Sequence, residues 1–121
     1  MAVVLIIDDS PTELHLFQNM LEKNGFETLV ADSGEAGLRQ AQTSHPDCIL
    51  MDVVMPGMNG FQATRKLNQN PATSGIPVII ITSKDQETDK IWGMRQGAAE
   101  YLVKPIGEKQ LVAKINAVTA A

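Results

Sequence analysis

Three aspartates, a threonine and a lysine stand directly after short apolar runs in this sequence: Asp8 and Asp9 after Val3 to Ile7, Asp52 after Cys48 to Met51, Thr82 after Val78 to Ile81, and Lys104 after Tyr101 to Val103. Carboxylates gathered at one place repel, and at least one would have its pKa raised. A divalent cation relieves that repulsion. With oxygen donors only and no His or Cys nearby, the donor set favours a hard ion, and Mg²⁺ is the natural choice. Lys104 supplies a positive charge for an anion, and Thr82 a hydroxyl donor. A carboxylate is also a nucleophile toward a phosphoryl group, giving an aspartyl phosphate. Such transfer needs positioning and charge neutralisation more than covalent help from the protein. Asp52 is the best nucleophile, because the loop Met55-Pro56-Gly57 that follows leaves it accessible. Asp8 and Asp9 are neighbours, so their side chains diverge: one faces a metal directly, the other through a water.

The elements that must bring these residues together follow from the hydrophobic pattern. Apolar runs predict strands at 3–7, 26–31 (the weakest), 48–51, 78–81 and 101–103. Unbroken rather than alternating runs suit strands covered on both faces. Between them lie amphipathic stretches. Ser10-Pro11-Thr12-Glu13 reads as a capping box with Pro at the first helical position, followed by Leu14, Phe17 and Leu21 at helical spacing and a stop at Gly25. Further helices are expected from Asp32 to about His45, from about Asn59 to Asn68 with Phe61, Thr64 and Leu67 inward, from about Gln86 to Gln96, and from about Glu108 to Val118 with Leu111, Ile115 and Val118 on one stripe. Strict strand–helix alternation implies an α/β fold with a parallel sheet between two helical layers. Right-handed crossovers put all strand C-terminal ends on one edge, where open sheets of this kind bind ligands.

A chain of 121 residues with 44% hydrophobic and 20% charged residues fits one ordinary globular domain, 1–121, with no output domain attached. The net charge of −4 argues against binding a nucleic-acid backbone. The single cysteine, Cys48, excludes an internal disulfide and reads as a small buried hydrophobe. The N-terminal apolar run is too short for a signal sequence or a membrane span, so a cytoplasmic protein is expected.

The ordered set Asp8-Asp9, Asp52 to Gly60 (DVVMPGMNG), Thr82-Ser83 and Lys104-Pro105 resembles the complete signature of response-regulator receiver domains, and the resemblance covers essentially the whole chain. It implies the flavodoxin-like doubly wound five-stranded parallel sheet, order 2-1-3-4-5, with five helices; the chemotaxis receiver is a standing example of that strand order. It also implies that Asp52 accepts a phosphoryl group from a histidine kinase, that Asp9, Asp52 and the Val54 backbone carbonyl ligate Mg²⁺ with Asp8 acting through water, and that Thr82 and Lys104 hold the phosphoryl oxygens. Tyr101 falls at the aromatic switch position, the surface of the fourth helix, fifth strand and fifth helix would be the readout, and the Lys104-Pro105 peptide would be cis. The segments Asp9 to Glu13, Asn59 to Arg65 and Lys84 to Lys90 resemble stand-alone PilH-type regulators of type IV pili and twitching motility, which implies a kinase and a motility protein as partners and a monomer or weak dimer.

Blander readings exist for each residue. Asp8-Asp9 alone is a solvated acidic turn, Thr82 alone a strand end or helix cap, Lys104-Pro105 alone a loop, and Tyr101 alone a half-buried strand residue. His15 and His45 read as surface residues and the methionines as core filler, with Met55 and Met58 near the active loop. Trp92 is expected to be partly buried against the third helix; exposure on a partner surface is the competing placement. Val54 and Lys84 should border the phosphoryl group, Val54 without the polar group many receivers have there. A haloacid-dehalogenase-type phosphatase is disfavoured, since it needs a second Asp two positions after the first. Two alternatives remain: a phosphate sink without a downstream effector, which fits the same residues, and a phosphorylation-independent interaction module, which would be expected to lack one of Asp52, Thr82 or Lys104, all of which are present.

Overall fold

A computed structural model of the protein describes residues 2–120. Strands and helices alternate five times: β1 (Val3–Ile7), α1 (Pro11–Lys23), β2 (Glu27–Ala31), α2 (Gly34–Ser44), β3 (Cys48–Met51), α3 (Gly60–Gln69), β4 (Val78–Thr82), α4 (Glu87–Arg95), β5 (Glu100–Val103) and α5 (Glu108–Thr119). All strand pairs are parallel, and the sheet runs β2-β1-β3-β4-β5, as the resemblance implied. The central strands β1, β3 and β4 are the unbroken apolar ones, because both of their faces are covered.

Alternate residues of each central strand feed two cores. Leu5, Ile7, Ile49, Met51 and Ile80 pack with Phe61 and Leu67 of α3. Val4, Ile6, Leu50, Ile79 and Ile81 pack with Phe17 and Leu21 of α1 and with Leu111 and Ile115 of α5. Cys48 belongs to this second core and is fully buried. Among the described residues no helix is long and apolar enough to cross a membrane.

Local signals set most helix starts. Ser33 caps α2 by accepting from the Ala36 N–H, and Asn59 and Gln62 form a reciprocal capping box at α3. α2 ends at Ser44, within a residue of the expected end, and His45 follows it as a left-handed cap with φ 47°. One expectation needs correction. At α1 only half of the expected capping box forms. The Ser10 hydroxyl accepts from the Glu13 N–H at 3.3 Å, but the Ser10 N–H donates to Asp8 Oδ1 at 3.0 Å, leaving the Glu13 side chain free to go elsewhere.

α4 departs furthest from expectation. Gly93 is its only buried residue, while Ile91, Trp92 and Met94 are 47%, 49% and 47% exposed. Trp92 is therefore not tucked against α3. Its position is off the face carrying Asp89, Gly93 and Gln96 toward the sheet, and only a residue without a side chain fits at the closest approach.

Candidate functional site

The parallel register carries the functional residues to one edge. The Asp52 N–H donates to the Ile7 carbonyl at 3.0 Å and so extends β3 alongside β1, placing Asp52 beside Asp8. The Lys104 N–H donates to the Thr82 carbonyl at 2.8 Å and fixes the ends of β4 and β5 in the same way. The loop after Asp52 is pinned by the Gly60 N–H on the Val53 carbonyl at 2.9 Å. Any side chain at Gly60 would run into the Asp52 carbonyl, so only glycine allows α3 to start this close to the phosphoacceptor candidate.

Carboxylate oxygens of Asp8, Asp9 and Asp52 lie within 4.8 Å of one another. Asp8 is buried, Asp9 exposed and Asp52 intermediate. Three hard oxygen donors with no sulfur or imidazole among them fit Mg²⁺ by ligand type. Lys104 closes the cluster from β5, its Nζ at 3.2 Å from Asp8 Oδ2 and 3.9 Å from Asp52 Oδ1. Burial, and next the charge of Asp8, push the Asp52 carboxyl above the usual range; Lys104, the Val53 N–H and the Thr82 hydroxyl pull against them. For Lys104, burial acts to lower the pKa, but Asp52, Asp8 and Glu13 outweigh it and the net direction is upward. Lys104 thus offsets part of the cost of charging Asp52 but not all of it, and the site keeps an excess of negative charge.

Thr82 is fully buried, and its hydroxyl accepts from the Lys84 N–H at a long 3.4 Å. The Tyr101 hydroxyl donates to the Lys84 carbonyl at 2.9 Å, and its ring lies against Gly93. Thr82, the loop beyond it, Tyr101 and α4 are therefore one connected set. Burial foremost, then Asp89, Asp52 and Asp85, push the Tyr101 phenol up to about 12, so it is a hydrogen-bond donor throughout the neutral range. Lys84 sits nearest the carboxylate of Asp89, at 3.8 Å, and Val54 is 60% exposed at the mouth of the site. Met55 is buried and Met58 partly so. The Lys104-Pro105 peptide is cis.

One participant was invisible in the sequence. Glu13 Oε1 lies 3.2 Å from Lys104 Nζ, as near as Asp8. Residues so distant along the chain have no local signal, and the Ser-x-x-Glu spacing pointed Glu13 to the helix cap instead.

Comparison with known proteins covers the same length of chain. Residues 4–116 match the response regulator receiver domain. Protein PilH of Pseudomonas aeruginosa is 58% identical over 120 residues, 99% of both chains. Response regulator PleD of Caulobacter vibrioides is 39% identical over 118 residues, which are 98% of this chain but only 26% of that one. A putative response regulator from Chloroflexus aurantiacus superimposes with a TM-score of 0.94 at 32% identity, covering 99% of this chain and 98% of the other. The Vibrio cholerae chemotaxis protein CheY4 does so with a TM-score of 0.91 at 30% identity, covering 98% of each. A doubly wound sheet alone is shared by proteins of many functions. Because the sequence match runs through every strand end that carries a polar residue of the site, the family follows from it: this chain belongs to the response regulator receiver domain family.

Proposed function

We propose that this protein is a phosphorylation-controlled switch in which Asp52 accepts a phosphoryl group from a histidine-kinase phosphohistidine. The observation that supports this most is the position of the Asp52 carboxylate, with an oxygen within 4.8 Å of those of Asp8 and Asp9 and another contact to the Lys104 ammonium at 3.9 Å. In the step, an Asp52 oxygen forms a bond to phosphorus as the phosphorus–nitrogen bond breaks. The electron pair stays on the imidazole nitrogen, which is protonated from solvent. Lys104 neutralises charge on the phosphoryl oxygens, and the Thr82 hydroxyl, whose oxygen accepts from the Lys84 N–H while its own proton is free to donate, donates to another. Asp9, Asp52 and the Val54 carbonyl would hold Mg²⁺ directly and Asp8 through water; bound there, the ion supplies charge neutralisation for the phosphoryl oxygens.

Movement of Thr82 toward the phosphoryl group would free space for Tyr101. The ring would leave its bond to the Lys84 carbonyl and change the surface of α4, β5 and α5. Phosphorylation shifts this equilibrium only by its differential interaction with the two states. The exposed Ile91, Trp92 and Met94 favour a signalling surface over a pure phosphate sink, since α4 directs its apolar side chains outward. The similarity to PilH along nearly the whole chain supports a cytoplasmic, stand-alone regulator in control of type IV pilus motility.

The reading is tested by phosphotransfer. Wild-type protein incubated with Mg²⁺ and a phosphorylated kinase, or with acetyl phosphate, should acquire one acid-stable, base-labile phosphoryl group. Asp52→Asn should acquire none; undiminished labelling of that variant rules Asp52 out as the acceptor.

A further inference from the structure

Glu13 occupies the third position of α1, where a glutamate ordinarily folds back to the cap or faces solvent beside the helix N-terminus. Here the cap N–H is taken by Asp8 Oδ1 at 3.0 Å. Glu13 reaches forward to Lys104 Nζ at 3.2 Å, closer than Asp52 at 3.9 Å. One turn on, the Phe17 ring lies under the same ammonium, 5.9 Å from Nζ to the ring centroid. α1 thus holds the lysine by a charge and by an aromatic face. The Lys104 side chain is only 18% exposed and that of Glu13 31%, so the pair is partly shielded from solvent.

We infer that Glu13 is a positioning residue that holds Lys104 on the α1 side of the site and thereby restrains phosphoryl acceptance at Asp52. The inference rests on the phosphoacceptor role proposed for Asp52. If Asp8 turns its charge to a bound ion, Glu13 remains as the lysine's carboxylate partner outside the metal set. An arriving phosphoryl group must draw the ammonium away from Glu13, and it also meets the negative charge of Glu13 itself. Both effects have the same sign. Glu13 and Lys104 both line a groove of about 370 Å³ with Leu16, Phe17, Met20 and Ile106, so the pair borders open space on the α1 side of the lysine.

The test is the affinity for beryllofluoride, a phosphoryl mimic, in the presence of Mg²⁺, measured by calorimetry on the full chain. Removal of one partly screened ion-pair partner should tighten binding by about two- to fivefold in Glu13→Gln and in Glu13→Ala alike. Glu13→Asp, which keeps the charge, should stay nearer wild type. The gap between Glu13→Gln and wild type should shrink at high salt, because a partly exposed charge is screened there; a purely structural effect of the substitution would not respond in this way. Equal or weaker binding by Glu13→Gln and Glu13→Ala, or a gap insensitive to salt, overturns the inference. If wild type itself does not bind the mimic, the phosphoacceptor reading fails first and takes the inference with it.

Discussion

Replacing Gly93 by alanine probes whether Tyr101 and α4 are mechanically coupled. A Cβ at position 93 would lie 2.8 Å from Tyr101 Cδ2, 3.0 Å from Cε2 and 3.1 Å from Ile80 Cδ1. On helix propensity alone the change should stabilise α4 by about 1 kcal/mol. Against the ring it should cost about 1–3 kcal/mol, as overpacking does. The ring cannot swing aside freely, because that breaks the bond from its hydroxyl to the Lys84 carbonyl, worth about 0.5–1.5 kcal/mol. In wild type the substitution should therefore be neutral to destabilising. In a Tyr101→Ala background only the flexible end of Ile80 stays in the way, and the helix-propensity gain should emerge. The four proteins form a double-mutant cycle, read by urea unfolding, with an expected coupling of about 1–3 kcal/mol. A coupling below about 0.5 kcal/mol would mean that the ring does not bear on α4, and the proposed path from Thr82 through Tyr101 to the exposed face of α4 would lose its physical basis.

Two further outcomes are expected. Burial pushes the Cys48 thiol up to about 12, against an unfolded value of about 8.5, and Tyr101 is likewise raised to about 12 from about 10. Because both folded values are raised, their stabilisation is complete below the unfolded values and is lost as pH climbs toward 12; unfolding free energy should fall above about pH 8.5, by at most about 1.4 kcal/mol per pH unit for each group. Urea titrations at several alkaline pH values check this, and a flat profile between about pH 8.5 and about 11 would contradict it. Mg²⁺ should stabilise the folded chain by relieving repulsion among Asp8, Asp9 and Asp52. At a tenfold excess over its dissociation constant the gain is about 1.4 kcal/mol, seen as a rise of a few degrees in Tm. Asp9→Asn should lose most of that rise, and a wild-type Tm indifferent to Mg²⁺ would exclude a cation site in the cluster.

Much of this molecule was legible in its amino-acid order. Chain-local physics governs the strands: runs such as Val3 to Ile7 and Val78 to Ile81 can be satisfied only between two covered faces, and a parallel sheet then forces Asp8, Asp52, Thr82 and Lys104 to a common edge. Cys48 inside such a run had to be buried, and a helix was expected from about Asn59, the residue that caps α3. Tertiary structure decided what depends on partners distant in the chain. Ser10-x-x-Glu13 spells a capping box, yet the second half of it was lost because Asp8 reached the Ser10 N–H and Lys104 offered Glu13 a full charge. Nothing within a helical turn of Glu13 announces a lysine just past the end of β5. α4 shows the same division. Trp92 was expected to be partly buried against the third helix, but the closest approach of α4 to the sheet is at Gly93, under the Tyr101 ring, and that contact turns the large side chains outward. Periodicity reports which residues share a face; which face meets the sheet is set by the shape of what lies beneath it.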